Sequence, residues 1–397
     1  MTQTRWGSTT WGWRMPFLGA AQIVAWGTLY YAITLLSQPI AASLALAQTW
    51  VYGAFTLSLF VSGLLAPLAG RLIDAGEGRW VLSGSAVLAA LGFAWLGVAD
   101  DVFDLYGSWT LLGLAMGCGL YDAAFAVLHR GVPQQDYRRA VTLLTLFGGF
   151  ASTVFWPLTR WLVEEHGWRE AAFCFAALQI LVCLGSYLIA VPPATKLLIA
   201  SGAQKAATVG LSERAVRQFV GLATAFALVS FTISVLSAHL VALLGLGGLS
   251  AGDAILVGTL FGPMQVVARV IEYGCASNVR PVMVGSVSFA LLMLALVALA
   301  LAHGTLFWPV LFGLLYGAGN GVMTIIRGTV PAELFPHVTG FGQLLGRLAM
   351  PSFIAKSAAP FIFALLLDLP APREVVIGTL LVTMALAWMS YEFARRS

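Results

Sequence analysis

The sequence is poor in charge. Aspartate, glutamate, lysine and arginine make up only 10% of its 397 residues, whereas 59% are hydrophobic. Soluble domains carry about 25% charged residues, so this chain has too few charged side chains to cover a surface that faces water. The scarcity excludes an ordinary soluble globular protein and predicts that lipid surrounds most of the chain.

Several functional motifs are also missing. The net charge is only +4 and the basic residues are scattered, so no nucleic-acid partner is predicted. The sequence has no GxxxxGK[ST] loop for ATP, no HExxH and no GxSG. Tyr121-Asp122 resembles half of an aspartyl intramembrane protease site, but the GxGD partner is absent. We therefore expect neither an enzyme nor a cofactor or metal, and any transport must draw on a gradient.

Cysteine is scarce. The four cysteines include no CxxC pair and stand in or beside apolar segments: Cys118, Cys174, Cys183 and Cys275. Such cysteines are usually free thiols that pack as small hydrophobic groups. No cleavable leader is expected, because the first apolar run, from Met15 to about Pro39, is too long for one.

Long apolar stretches are abundant. They reach about 20 residues without the alternation of barrel strands, which favours membrane-spanning helices. Windows of about 19 residues predict twelve helices, near 15–38, 50–72, 80–98, 105–128, 140–162, 171–190, 216–243, 252–274, 281–302, 307–327, 341–366 and 375–393.

The predicted helices form two sets of six. The longest polar connection separates them, so we predict an N-terminal bundle over 1–191, a cytoplasmic linker over 192–215 and a C-terminal bundle over 216–397. With the N-terminus inside, only Arg160, Arg169 and Arg373 fall outside, and Arg347 and Lys356 lie within a helix. The other sixteen of the 21 Lys and Arg residues then lie inside, as the positive-inside rule requires. Both termini are predicted to be cytoplasmic.

An internal repeat supports this division. Gly113 to Gly119 in the predicted fourth helix, GLAMGCG, has a counterpart in GLLYGAG, Gly313 to Gly319, of the tenth. Arg71 to Gly76, RLIDAG, likewise matches Arg269 to Gly274, RVIEYG, at an offset of 198 residues. Two copies of the same topology are typical of a parallel, pseudo-symmetric transporter.

The loop after the predicted second helix carries a family signature. It reads Gly70-Arg71-Leu72-Ile73-Asp74, followed by Gly78-Arg79, and resembles the signature loop of the major facilitator superfamily. Gly167-Trp168-Arg169 is also common in that family. The resemblance covers nearly the whole chain and implies two pseudo-symmetric six-helix bundles. It also implies a cytoplasmic gating latch, in which we include Gly70, Arg71, Asp74, Arg79, Arg269 and Glu272.

The sequence departs from the family pattern at several points. Glu77 replaces the usual glycine of the signature, and Trp109 lies near where many proton-coupled members have an arginine. Phe155-Trp156-Pro157 replaces the Gly-Pro pair of many antiporters. The predicted eighth helix reads Gly262-Pro263-Met264-Gln265, where oxalate and monocarboxylate carriers often have an arginine. The departures weaken inferences about the coupling ion and substrate, but not about the superfamily.

Ionisable residues within membrane helices suggest function, because each costs roughly 2.5–3.5 kcal/mol to insert. Asp122 is the candidate for proton coupling, with pairing to an arginine of the cytoplasmic rim as the structural alternative. Lys356, near the middle of the predicted eleventh helix, is a candidate for binding an anionic substrate. Arg347 lies closer to the cytoplasmic end, where anchoring at the membrane rim is the expected role.

Polar and aromatic residues of the presumed cavity helices complete the candidate site. Those that we predict to bind substrate are Gln22, Trp26, Tyr30, Tyr316 and Asn320, and Tyr31, Ser230, Ser234 and Thr324 share their character. The same residue types also serve helix packing in membranes.

The predicted function is gradient-driven, proton-coupled transport of a small solute by a symporter or antiporter. We expect a monomer in the cell inner membrane, working by alternating access. A small organic anion or similar metabolite is the preferred solute. The alternatives are efflux of toxic compounds, either amphipathic drugs or trivalent arsenicals, and a membrane sensor that binds a solute without transporting it.

Overall fold

The fold is helical throughout the described part of the chain. The computed structural model describes residues 11–193, 212–275, 279–303, 305–367 and 372–397, and these ranges contain no strand. Helices satisfy each backbone N–H and C=O within the same segment, which apolar surroundings require. The prediction of an all-helical membrane fold is confirmed.

Contacts divide the chain into two compact units. The first comprises Met1–Thr208 and Val338–Met350, and the second Val209–His337 and Pro351–Ser397. The predicted bundles, 1–191 and 216–397, remain a prediction. Residues 194–211 of the predicted linker lie outside the described residues.

The first unit begins with ten helices. They are α1 (Met15–Trp26), α2 (Ile33–Ser43), α3 (Gln48–Leu72), α4 (Gly78–Gly97), α5 (Val102–Gly119), α6 (Tyr121–Gly131), α7 (Gln134–Gly149), α8 (Ala151–Glu165), α9 (Trp168–Leu178) and α10 (Gly185–Ala190). Wide π-helical turns follow α1, α3 and α9, over Gly27–Tyr31, Ile73–Glu77 and Gln179–Leu184.

Seven helices make up the rest of the described chain. They are α11 (Glu213–Leu246), α12 (Ala251–Thr259), α13 (Phe261–Cys275), α14 (Pro281–Ala300), α15 (Phe307–Leu334), α16 (Phe341–Leu367) and α17 (Pro372–Arg396). The first ten residues of α16 belong to the first unit and its remainder to the second.

Nine helices of the described residues are long and apolar enough to cross a membrane, or ten if the bent pair Met15–Tyr31 and Ile33–Ser43 is one span. One of the nine, Gln48–Gly97, has 50 residues and would measure about 75 Å as a straight helix, more than twice the hydrocarbon thickness. Gly76, with φ 103°, breaks it into α3 and α4. The count of twelve spans stays a prediction.

Several predicted helices are less regular than expected. The first is bent by 43° between Met15–Tyr31 and Ile33–Ser43, and the sixth contains the turn Gln179–Leu184. The fourth, predicted as continuous over 105–128, is interrupted at Leu120, whose backbone is extended. Hydrophobicity along the sequence does not reveal such local breaks, because the residues on both sides of each break are apolar.

Glycines let helices approach closely at equivalent places in the two copies. A Cβ on Gly113 of α5 would lie 2.5 Å from the Ser58 carbonyl oxygen of α3, and a Cβ on Gly117 would lie 2.9 Å from that of Ser62. In the second copy, a Cβ on Gly317 of α15 would lie 2.9 Å from the carbonyl oxygen of Phe261 in α13. Small residues drive this kind of packing in membranes, where dispersion replaces the hydrophobic effect.

We expect Gly113→Ala to lower the thermal stability of the purified protein. The added methyl must push α3 and α5 apart, and overpacking typically costs about 1–3 kcal/mol. Gly313→Ala should have a smaller effect, because its Cβ would lie 3.1 Å from the Val257 carbonyl oxygen. Gly378→Ala, in α17 and facing open space, is the control. Tryptophan fluorescence during heating in detergent measures all three, and equal melting temperatures would contradict the packing.

Candidate functional site

Three irregular backbone segments meet in the first unit. They are the π-helical turn Gly27–Tyr31, the break between α5 and α6 at Leu120, and the π-helical turn Gln179–Leu184. Non-helical backbone at membrane depth occurs where it is buried in protein or lines a cavity, and π-helical turns are frequent at functional sites. This region is therefore the candidate site of the first unit.

Gln22 holds the break between α5 and α6. Its Nε2 donates to the carbonyl oxygen of Gly119 at 2.8 Å and lies 3.4 Å from the Tyr187 hydroxyl, which also reaches that carbonyl at 3.4 Å. A carbonyl at a helix end needs such partners, because no further turn supplies an N–H. Gln22 is fully buried, and its Oε1 has no hydrogen-bond partner among the described residues. Gln22, which is predicted to bind substrate, thus uses its Nε2 group to hold the helices together.

The two π-helical turns are joined directly. Gln179 Nε2 donates to Thr28 Oγ1 at 2.8 Å, and both side chains are buried. Beside them, the Cys183 thiol lies 3.4 Å from the Ala21 carbonyl oxygen. Cys183, Cys118 and Cys174 are free thiols, and the Cys275 side chain lies outside the described residues.

Aromatic rings surround these segments. Trp26 lies 4.8 Å from Tyr121 and 5.4 Å from Tyr30, measured between ring centroids, and Tyr30 lies 5.7 Å from Phe55. Phe55 in turn lies 5.5 Å from Trp109. Among the described residues, the indole N–H groups of Trp26 and Trp109 are buried without a hydrogen-bond partner. The cluster is apolar and offers two donors.

Sequence reasoning named Trp26, Tyr30 and Tyr31 but missed part of this cluster. Tyr31 lies 6.4 Å from Trp156 between ring centroids. Phe55, Trp109 and Trp156 were not assigned to substrate, because an aromatic residue in a membrane helix gives the same signal whether it faces lipid, core or cavity.

Asp122 stands directly after the break. It is the second residue of α6, in the first turn of that helix, and its side chain is half-buried. The partial positive charge of a helix N-terminus favours a carboxylate at this position. Asp122 also lies near Tyr137 of α7. The structure therefore places the predicted proton acceptor next to the aromatic cluster, through Tyr121.

Asp74 caps the start of α16. Its Oδ1 accepts the Gly342 N–H at 2.8 Å and its Oδ2 accepts the Gln343 N–H at 2.7 Å. N–H groups in the first turn of a helix have no acceptor within the helix, and the Asp74 carboxylate supplies one for each of these two. Its negative charge also interacts favourably with the positive end of the helix dipole. Arg130 of α6 donates to the backbone carbonyl of Asp74.

Glycines allow α3 and α16 to lie this close. A Cβ on Gly70 would lie 2.0 Å from the Gly342 carbonyl oxygen, and one on Gly346 would lie 2.2 Å from that of Ala66. Both helices thus present small residues four apart, the spacing that brings helix backbones together in membranes. Phe341 stacks on His129, with 3.8 Å between ring centroids.

The other arginines of the signature loop are not part of this contact. Arg71 is exposed. Arg79 is half-buried, with its guanidinium carbon 5.9 Å from the Trp80 ring centroid.

The second copy of the loop differs. Arg269, the counterpart of Arg71, is only 2% exposed, and its guanidinium donates to the carbonyl oxygen of Gly321 and to Gln265 and Thr324, at 2.9–3.3 Å. Glu272 is also buried. Arg269 therefore binds α15 across the interior of its own unit, and its role as a latch stays a prediction.

Lys356 lies sixteen residues into α16, about 22 Å from its first residue at 1.5 Å per residue. Its side chain is half-buried, and its Nζ lies 5.5 Å from the Phe353 ring centroid. The Lys356 backbone carbonyl accepts the Ser234 hydroxyl of α11 at 3.0 Å.

Asn320 and Tyr316 differ in their surroundings. Asn320 is half-buried on α15. Tyr316 is buried among Phe261 and Phe312, at 4.4 and 5.7 Å between ring centroids, with its hydroxyl 3.5 Å from the Ile233 carbonyl. Tyr316 therefore packs α15 against α11 and α13.

No metal site is formed by the residues described. No three His, Cys, Asp or Glu side chains converge there to hold an ion. Trivalent arsenic prefers two or three converging thiols, and the alternative of arsenical efflux gains no support from the described cysteines.

Comparisons with known proteins agree on one family. The profile described as Major Facilitator Superfamily matches residues 17–353. Over 165 residues the chain is 30% identical to the "Oxalate:formate antiporter" of Oxalobacter formigenes, covering 41% of this chain and 38% of the antiporter. An "Uncharacterized 38 kDa protein in 23S RNA operon" of Thermoproteus tenax is 26% identical over 380 residues, covering 89% of this chain and 96% of that protein. Monocarboxylate transporter 13 of Rattus norvegicus is 31% identical over 139 residues, covering 34% of this chain and 31% of that protein.

Solved structures share the fold at low sequence identity. The human organic anion transporter MFSD10 (TETRAN) superposes with a TM-score of 0.72 at 16% identity, covering 96% of this chain and 98% of that one. The proton:xylose symporter XylE superposes with a TM-score of 0.75 at 13% identity, covering 98% and 96%. The profile match, the helical fold and these structural relatives lead to one conclusion: this chain is a multi-pass membrane protein that belongs to the major facilitator superfamily of transporters.

Proposed function

We propose that this transporter moves a small organic anion, driven by a proton gradient, through alternating access. The observation that carries the proposal is Lys356, an ammonium group that α16 holds far from its ends in an apolar helix. A charge at that depth costs roughly 2.5–3.5 kcal/mol, which marks an intramembrane lysine as a functional candidate, and its positive charge would attract a carboxylate substrate. The half-buried amide of Asn320 adds hydrogen-bonding capacity on α15.

The aromatic cluster supports a solute with an apolar or planar part. Rings from α1, α3, α5 and α6 line the candidate site of the first unit, and the indole N–H groups of Trp26 and Trp109 supply two buried donors. Ligand sites combine such apolar walls with a few placed polar groups. Hydrogen-bond donors such as these indole N–H groups suit an anionic solute better than acceptors do.

Two relatives point in the same direction. One carries the name of an oxalate and formate antiporter and another that of a monocarboxylate transporter. Each match covers less than half of the relative, so an organic-anion substrate is a proposal for this chain.

Asp122 is the proposed proton acceptor. Its carboxylate lies in the first turn of α6, beside the break that Gln22 and Tyr187 hold, so a change in its charge acts on an irregular, deformable segment. Broken helices of this kind form substrate and ion sites in transporters.

Asp74 is proposed to gate the cycle. Its two charge-assisted hydrogen bonds to Gly342 and Gln343 tie α16, which carries Lys356, to the end of α3. Bonds of this kind contribute about 1.5–3 kcal/mol each, enough to hold one conformation and still be broken in turnover.

Lys356→Gln should raise KM for the transported carboxylate at least tenfold, which corresponds to about 1.4 kcal/mol of lost binding. Counterflow in proteoliposomes with oxalate, formate and longer monocarboxylates measures it, and the neutral amide of the same acid is the control substrate. Equal effects on acid and amide would contradict charge recognition.

The same counterflow assay on the wild-type protein separates the alternative functions. Exchange of a drug or of arsenite, but of no carboxylate, would favour efflux, and binding without exchange would favour a sensor.

Asp122→Asn should abolish accumulation driven by an imposed pH gradient while leaving counterflow exchange in place. The amide keeps the shape of the carboxylate but cannot take up a proton. Asp136→Asn, which neutralises a half-buried carboxylate at the start of α7, is the matched control. Unchanged accumulation in Asp122→Asn would remove this residue from the coupling mechanism.

Asp74→Asn should speed hydrogen–deuterium exchange at the amides of Gly342 and Gln343 and change the counterflow rate severalfold. The amide group retains one acceptor oxygen and loses the charge, so only one of the two bonds can form. Glu77→Gln, an exposed carboxylate in the same turn, is the control. A gating role would be refuted by faster exchange at both amides together with an unchanged transport rate.

A further inference from the structure

An open groove runs along the second unit between α11 and α17. Its lining residues are Val220, Gly221, Thr224, Leu386, Met389, Ser390 and Phe393. An adjoining open depression continues along α17 past Met389 and Phe393 to Glu392, Arg396 and Ser397. The groove is thus apolar along most of its length and ends at charged residues.

The floor and walls of the groove have different side chains. At the floor, a Cβ on Gly221 would lie 2.9 Å from the Ser390 carbonyl oxygen and 3.0 Å from the Ala394 Cβ, so the helices touch there. On the walls, Val220, Met389 and Phe393 are more than half exposed. The result is a shallow groove with apolar sides on the surface of its own unit.

Helical periodicity extends the α11 wall into two arginines. Arg217 and Arg214 precede Val220 by three and six residues, so they continue the face that carries Val220, Gly221 and Thr224. Both arginines are exposed. On α17, Arg396 follows Met389 and Phe393 at seven and three residues.

The antiparallel register brings these arginines to one end. Gly221 lies level with Ser390 and Ala394, so Arg217, one turn earlier on α11, lies level with the end of α17 at Arg396. Arg395 and Arg396 both approach Glu392, at 2.5 and 3.6 Å. Arg396 nevertheless remains 76% exposed.

Charge at this end is positive. Four arginines, Arg214, Arg217, Arg395 and Arg396, stand there against Glu213 and Glu392. Glu392 already accepts from Arg395 and Ser286. The shallow apolar groove therefore leads to basic groups whose charge is only partly balanced by Glu213 and Glu392.

We infer that this groove binds an anionic phospholipid, with an acyl chain along Val220, Met389 and Phe393 and the phosphate at Arg217 and Arg396. Basic pockets between membrane helices bind acidic headgroups, and each arginine near the surface favours anionic over neutral lipid roughly fivefold. A zwitterionic lipid fits the apolar walls equally well but gains little from the arginines.

Titration of the delipidated, full-length protein tests the inference. Native mass spectrometry counts bound lipid, and the melting temperature reports stabilisation by binding. Phosphatidylglycerol should bind more tightly than phosphatidylcholine with the same acyl chains. The double variant Arg217→Gln and Arg396→Gln should lose roughly 25-fold in affinity for phosphatidylglycerol and keep its affinity for phosphatidylcholine.

Two further variants separate charge from shape. Arg160→Gln with Arg280→Gln removes the same net charge from exposed arginines elsewhere and should leave lipid binding unchanged. Thr224→Trp fills the groove without changing charge and should weaken both lipids. The inference would be overturned if the two double variants lost the same affinity for phosphatidylglycerol, or if the wild-type protein bound both lipids with equal affinity. A dimer that forms without lipid and is lost in Thr224→Trp would also overturn it.

Discussion

The structure depends on the need to satisfy every backbone polar group in surroundings that offer no water. Regular helices meet that need by themselves, which is why the described chain is helical almost throughout. Where a helix is interrupted, side chains must replace the missing bonds. At Gly119 the substitute partners are Gln22 and Tyr187, and in the adjoining region Gln179 binds Thr28. Residues from two other helices thus supply the hydrogen bonds that the break in the fourth predicted helix leaves unmade. Asp122 lies just after this break.

The two copies of the repeat have kept their packing and diverged in chemistry. Glycines of α5 meet α3, and those of α15 meet α13, at corresponding positions. The carbonyl of Gly119 is held by Gln22, whereas its counterpart Gly319 accepts the hydroxyl of Ser288 at 2.8 Å, and α15 runs on without a break. The two copies thus share their glycine packing but differ in their buried polar contacts.

Charged residues in this protein divide by what satisfies them. Asp74 is bound by two backbone N–H groups at a helix start, and Arg269 by α13 and α15 within its own unit. Lys356 and Asp122 lie half-buried within helices, and their roles in binding a substrate and a proton are proposals. Arg214 and Arg217 at the start of α11 and Arg396 at the end of α17 are exposed, and acidic lipid is their proposed partner.

The sequence by itself determined the membrane class, the helical fold and the internal repeat, because these follow from composition, hydrophobic period and self-similarity, which tertiary contacts do not alter. It also singled out Asp74, since the signature loop is local in sequence. Tertiary structure decided the rest. Leu120 and the turns at Gly27–Tyr31 and Gln179–Leu184 are apolar sequence whose irregularity depends on partners from distant helices. Arg71 and Arg269 occupy the same place in the repeat, yet one is exposed and the other buried, because burial depends on which helix packs opposite. The aromatic cluster around Trp26 became visible only once α1, α3, α5 and α6 were placed together.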